Sequence, residues 1–343
     1  MVKKQQVTLR DIAKELNVSK VTVSKALRDH PDIGDTTKTK VKKAAEEMGY
    51  LPNFMARNLS SNSSKTIGLV VPKIAHHFFA STIEAIYQTA YDNNYEVLLT
   101  VSQENEEHEI KHIQTLLSMR VDGLLVSVTE ETKNMAVFEM VRKSGVPLVF
   151  FDRVVDGLGF SKVISDDEGG SFDAICELIE SGYEKIAHLA GYQSTSIGKK
   201  RLVGYRNAMK KYAIPIPDEY VIEGGFGESD GYRGFNHLMD SSELPEVIFA
   251  VTYPVALGVI SAARENGINV PEDMDLICFG GSEYNRFITP SLTYIDQPTT
   301  KIGNKATELL LQEIENPEET GREIVIPTNL VKRDTCLRCN RKA

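Results

Sequence analysis

Several stretches carry residue types that could do covalent or metal chemistry. Gly227-Glu-Ser-Asp-Gly231 spells G-x-S-x-G between a strand-like and a helix-like segment, the setting of a serine nucleophile on a sharp turn. Such a serine needs an acid and then a histidine well downstream. The histidine that follows, His237, sits eight residues on in the same helical segment. Gly191-Tyr-Gln-Ser-Thr-Ser-Ile-Gly-Lys199 resembles a phosphate cradle, but it has six residues between its glycines and no Ser or Thr after the lysine. His108 and His112 are four apart on a helix and could share a metal; they read as solvent-facing. Cys336 and Cys339 have metal-ligand spacing without the second pair that a structural zinc site needs. Cys176 and Cys278 sit in apolar stretches, where a cysteine is usually a small core residue. These patterns point away from an enzyme, and no cofactor or metal is expected.

A different chemistry stands out near the N-terminus. Residues 1–65 hold 13 Lys and Arg against 7 Asp and Glu, a net of +6, on a chain whose overall charge is −9. A small basic head on an acidic body suits one module for a polyanion and another that stays off it. The elements that would position this charge are three short helices. Thr8-Leu-Arg-Asp11 is a capping-box-like start, and Leu9, Ile12, Ala13 and Leu16 then recur at helical spacing. Asn17-Val18 breaks the pattern. Ser19 can cap a second helix, Lys20 to Leu27, with Val23, Ala26 and Leu27 inward. A third follows Gly34-Asp35, with Val41, Ala44, Ala45 and Met48 inward and Gly49 as its stop. Three helices with a tight first turn make a helix-turn-helix. The outer face of the second offers Ser19, Lys20, Val21, Thr22, Ser24 and Lys25, able to approach phosphates and, through Lys20 and Val21, base edges in the major groove. The same face would also suit the solvated side of an unrelated three-helix bundle.

These residues carry a resemblance. Val7-Thr-Leu-Arg-Asp-Ile-Ala-Lys-Glu-Leu-Asn-Val-Ser-Lys-Val-Thr-Val-Ser-Lys-Ala-Leu27, followed by Val41-Lys-Lys-Ala-Ala-Glu-Glu-Met-Gly-Tyr-Leu-Pro-Asn53, resembles the headpiece of the LacI/GalR family of bacterial repressors. The resemblance extends over nearly the whole chain. It implies contacts to DNA from Thr8 and Leu9 as well as from the second helix. Pro52 to Leu59 reads as one short helix capped by Asn53 and followed by the polar linker Ser60-Ser-Asn-Ser-Ser64; alone in water it should be marginal. The resemblance implies that this hinge becomes helical on the operator and pairs with a second copy in the minor groove. Ala56 would then allow close approach, Arg57 would meet the groove and Leu59 would wedge between base steps.

From Thr66 the texture changes. Apolar runs at 67–71, 96–100, 123–126, 147–151, 185–189, 247–250 and 275–279 read as buried strands, with amphipathic helices between them. Such alternation means open, mostly parallel sheets covered by helices, an α/β core. The resemblance implies two lobes like those of a periplasmic binding protein, with the chain crossing between them near Ser165, Asp296 and Pro327. The expected organisation is a DNA-binding headpiece over 1–51, a hinge and linker over 52–65, an effector and dimerisation domain over 66–335 and a tail over 336–343.

Ligands in such folds bind at the carboxyl ends of strands. By resemblance, Phe78, Phe79, Ser127, Asp152, Arg201 and Phe226 face the cleft. An aromatic platform with an arginine fork suits a sugar-like or planar polar molecule. Two departures matter: Thr252-Tyr253 stands where the family usually has Asn-Asp, and Phe279-Gly-Gly-Ser282 where it usually has an Asp after Phe. Both lost carboxylates often bind ligand hydroxyls in relatives. A sugar phosphate would tolerate their loss, and Lys199 and Lys200 lie beside Arg201 in sequence. The expectation is a cytoplasmic homodimer on double-stranded operator DNA, tuned by a sugar or sugar phosphate, with no membrane partner. A solute-binding protein and a sugar-processing enzyme are the alternatives.

Overall fold

The computed structural model describes residues 7–50, 63–240 and 243–340. The chain divides into two compact units, residues 1–64 and 65–343. The hinge residues Asn53, Ala56, Arg57 and Leu59 lie outside the described residues.

In the first unit, Leu9–Glu15 (α1), Lys20–Leu27 (α2) and Asp35–Glu47 (α3) pack around Ile12, Val23, Ala26 and Val41, none of them exposed. Leu9, Leu16, Leu27 and Met48 close the edges of that core. At the start of α1 the Asp11 carboxylate accepts from the Thr8 amide at 2.8 Å and from its hydroxyl at 2.7 Å. Ser19 accepts from the Thr22 amide at 3.0 Å and so caps α2. Asn17 turns the chain between α1 and α2 with a left-handed backbone, φ 51°, which Asn tolerates well.

The second unit holds two six-stranded sheets. The first contains Thr66–Val71 (β1), Glu96–Val101 (β2), Gly123–Val126 (β3), Leu148–Phe151 (β4), Ser161–Ser165 (β5) and Glu323–Ile326 (β11), in the order β11-β5-β4-β3-β1-β2 and all parallel. The second contains Ile186–Ala190 (β6), Val221–Glu223 (β7), Val247–Ala250 (β8), Asp275–Phe279 (β9), Thr293–Asp296 (β10) and Asn329–Val331 (β12), in the order β12-β10-β9-β8-β6-β7. Only β12, against β10, runs antiparallel. Helices His77–Asp92 (α4), Glu106–Ser118 (α5) and Ala136–Ser144 (α6) cover the first sheet, and Asp167–Glu180 (α7), Ser196–Lys211 (α8), Glu228–Asp240 (α9) and Tyr253–Glu265 (α10) belong to the second. Central strands are buried along their whole length, which is why they read as continuous apolar runs.

The chain passes between sheets three times: after Ser165, between Asp296 and Thr299–Glu315 (α11), and between Ile326 and Asn329. Helix α11 returns to the first sheet, where Ile302, Ala306, Leu309 and Leu310 join the β1 and β4 side chains in one core. Residues 336–338 are docked on the second lobe. Cys336 is buried, the Leu337 amide donates to the Asp275 carboxylate at 3.1 Å, and Arg338 pairs with Glu246 at 2.7 Å.

Candidate functional site

The second helix of the head presents its polar face as expected, with differences in detail. Lys20 is exposed and has no ion-pair partner among the described residues, and Val21 is 63% exposed on a helix of two turns. An uncovered valine beside a free lysine suits contact with a thymine methyl and a base edge. Lys25 is engaged with Asp32 at 2.6 Å, and Ser24 accepts from Arg28 at 3.0 Å. Thr22 is half-buried, its hydroxyl 2.8 Å from that of Ser19. Leu9 packs into the head core, so the DNA contact expected of it would come from its backbone or its partly exposed edge.

In the second unit, a cavity of about 220 Å³ opens at the carboxyl ends of both sheets' strands. Phe78, Phe79, Asp152, Arg201 and Phe226 line it. Ser127 does not. It continues β3 by one residue, its amide bonded to the Val70 carbonyl, and its hydroxyl is buried with no partner among the described residues.

Arg201 is 1% exposed. Its Nε donates to Asp167 Oδ1 at 2.8 Å, Nη2 lies 2.7 Å from the same oxygen, and Nη1 donates to the Val251 carbonyl at 2.6 Å. The guanidinium lies 3.7 Å from the centre of the Phe279 ring. Burial pushes the Asp167 carboxyl up in spite of the Arg201 charge beside it. A guanidinium held on three sides and stacked on a ring is preorganised, with little freedom left to grip a ligand.

Sequence reasoning missed the second arginine. Arg153 follows Asp152 directly, lines the cavity and is 3% exposed. Its Nη1 donates to both Glu104 oxygens, at 3.0 and 2.9 Å, while its plane lies over Phe226 of the second lobe at 4.8 Å and Phe79 of the first at 5.9 Å. Its Nε has no partner among the described residues. Beside it the Val154 amide donates to the Ser196 hydroxyl at 3.1 Å, a second contact between lobes. The signal in the sequence was a charged residue directly after a buried strand, where solvent is already excluded.

Asp152 ends β4 with a left-handed backbone, φ 59°, and burial pushes its carboxyl up to about 7. The two departures from the family pattern are both at the wall. Thr252 caps α10 and donates to the Phe226 carbonyl at 2.9 Å. The Tyr253 hydroxyl is buried with no partner among the described residues, and burial pushes it up to about 12. A Cβ on Gly281 would stand 2.4 Å from the Tyr294 ring, so the glycine makes room for that ring against the cavity. Asp296 and Gln297 complete the wall at the second crossover.

The covalent motifs resolve into structural roles. Asp230, inside G-x-S-x-G, accepts from the Gly227 amide at 3.0 Å and pairs with Arg233. The stretch His108-Glu-Ile-Lys-His112 has the H-E-x-x-H spacing of zinc proteases, which the reading of two solvent-facing histidines overlooked. Its groups point elsewhere. Glu109 is fully buried, accepting from the Thr129 amide and the Thr132 hydroxyl at 2.9 Å each. His108 and His112 lie 3.2 and 3.1 Å from the carbonyls of Ser102 and Val101, and His112 is half-buried rather than solvent-facing. Among the described residues no group of three candidate ligands could hold a metal. Nor is any helix among them long and apolar enough to cross a membrane.

Residues 8–53 match the bacterial regulatory proteins of the lacI family, and residues 175–336 match a periplasmic binding protein-like domain. Catabolite control protein A of Priestia megaterium is 33% identical over 323 residues, covering 93% of this chain and 96% of its own. The chain belongs to the LacI family. It is a transcription regulator with a DNA-binding head and a ligand-binding type of core, and not an enzyme. Among solved structures, the lac repressor dimer bound to operator and the anti-inducer ONPF superposes with a TM-score of 0.85 at 26% identity, covering 97% of this chain and 99% of that one. The transcriptional regulator CelR in complex with cellobiose gives 0.74 at 26% identity, with 96% and 100% covered.

Proposed function

We propose that this LacI-family repressor acts in the cytoplasm as a homodimer on a pseudo-palindromic operator, and that a small polar ligand of the sugar class, free or phosphorylated, tunes its affinity. The observation that carries the reading is the cavity between the lobes. It is walled by Phe79, Phe226 and Tyr294 and bridged by Arg153. A ligand there touches both lobes at once, so it acts on any equilibrium between more open and more closed arrangements. The cellobiose complex of CelR is a relative with such a ligand. The recognition surface is α2, with Lys20 and Val21 toward the bases and Ser19, Thr22, Ser24 and Lys25 nearer the phosphates. The hinge residues Asn53, Ala56, Arg57 and Leu59 would pair in the minor groove, and the two-fold symmetry of the dimer would be mirrored in the half-sites.

Selection from random duplex DNA with the full-length protein, followed by titration at fixed salt with a sugar and sugar-phosphate panel, tests this. An enriched palindrome whose affinity changes with one compound is the expected result. Failure to enrich any sequence with folded protein would sink the operator reading; an enriched palindrome indifferent to every compound would sink the effector reading alone.

A further inference from the structure

We infer that the cavity takes a neutral, hydroxyl-rich ligand and discriminates against anions, because each arginine that lines it already has a carboxylate of its own while three further carboxyls line the same space. The inference rests on the effector reading of this cavity and narrows its ligand.

Arg153 is joined to Glu104 through both carboxylate oxygens, and Arg201 to Asp167. Both pairs are buried, with side-chain exposures of 3% and 9% for the first and 1% and 2% for the second. Neither arginine therefore brings a net positive charge to the cavity. The lysines that would suit a phosphate, Lys199 and Lys200, do not line it. The other nitrogen bases in the wall are two imidazoles. Burial disfavours the charged form of His76, and His77 has its Nε2 3.4 Å from the Ser81 hydroxyl.

Asp152 and Asp296 remain, with Glu283 among the lining residues as well. Neither aspartate carboxyl accepts a hydrogen bond from a described residue. A phosphate or carboxylate placed here would face carboxyl oxygens and find no free cation among the described lining residues, whereas hydroxyl groups would satisfy both aspartates. Two buried donors in the wall have no partner among the described residues, Arg153 Nε and the Tyr253 hydroxyl, and these ask for acceptors. A polyol supplies donors and acceptors on one small frame, and Phe226 and Tyr294 are among the rings that line the space for its C–H groups.

Calorimetric titration of the full-length protein with matched sets (cellobiose, glucose and ribose against glucose 6-phosphate, ribose 5-phosphate and glucuronate) tests the inference. At least one neutral sugar should bind, with its anionic counterpart about tenfold weaker or more. Glu104→Gln releases the Arg153 charge and should move the anion-to-neutral affinity ratio toward the anion by about fivefold or more. Asp296→Asn, on the other wall and outside both ion pairs, should move it in the same direction. Circular dichroism checks the fold of each variant, and the Asp296 variant carries the test if the other fails to fold. An anion that binds the native protein more tightly than its neutral parent overturns the inference, as does a ratio unmoved in a folded variant. Binding of neither class overturns the effector reading itself, a result distinct from the other two.

Discussion

The head and the cleft both carry charge, but they hold it differently. In the head, Lys25–Asp32 and Lys42–Asp29 are ion pairs with both partners substantially exposed. In the cleft, Arg201–Asp167 and Arg153–Glu104 are buried and backed by rings. Exposed pairs contribute little and rearrange easily, so the head can give its lysines to phosphates. Buried pairs cannot be broken cheaply, so each cleft arginine keeps its own carboxylate whether or not a ligand is present.

The strongest way to break this contrast is Asp167→Ala, which leaves the Arg201 charge buried. It should cost about 3–5 kcal/mol in urea unfolding, and replacing both partners (Asp167→Leu with Arg201→Met) should recover most of that. A single-variant loss under about 1 kcal/mol would place this pair with the exposed ones.

Asp152 gives a pH-dependent version. Its folded pKa lies above its unfolded one, so the native state binds the extra proton between pH 4 and about 7 and loses stability as pH rises through that window. Asp152→Asn should therefore gain on the native protein from pH 4 to 7 and hold its advantage above. A stability difference that stays flat with pH contradicts the buried state of this carboxyl.

In the head, Lys20→Ala should weaken binding to the selected operator by about 1–3 kcal/mol while changing binding to random DNA far less. Equal loss on both would make Lys20 a phosphate contact. Ser19→Ala, which removes the cap of α2, should cost about 1 kcal/mol of head stability by thermal unfolding. Smallest of all, Asp32→Asn should change stability by less than about 1 kcal/mol, yet free Lys25 and steepen the salt dependence of DNA binding by up to about one ion.

The same contrast explains what was legible in the sequence. The head is made of local signals, a cap at Ser19, an apolar stripe from Leu9 to Leu16 and a turn at Asn17, and each reappears in the structure. The central strands were nearly as plain, being apolar along most of their length. Strands β5, β10, β11 and β12 went unread: β11 and β12 are edge strands whose residues face partly outward, and β5 and β10 break their apolar runs with Ser161, Lys162, Ser165, Thr293 and Asp296. The cleft was legible only through resemblance. That route found Arg201 and Phe226 but gave no hint that Arg201 is tied to Asp167, 34 positions away, or that Arg153 is tied to Glu104, 49 positions away. Ser127 shows its limit, since one residue along a strand reverses the side to which a side chain points.

The order in which the strands enter the sheets has a consequence for synthesis. The three described helices of the head lie within the first fifty residues and can pack as soon as they leave the ribosome. The first sheet cannot be finished then: β5 ends at Ser165, but the helix that covers its apolar face begins at Thr299 and its edge strand ends at Ile326. At bacterial elongation rates of about 5–20 residues per second, that face stays uncovered for roughly ten to thirty seconds on each nascent chain. A DNA-binding module thus emerges ahead of the ligand-binding type of core that follows it, tethered to a half-built sheet whose open side is a natural client for chaperones.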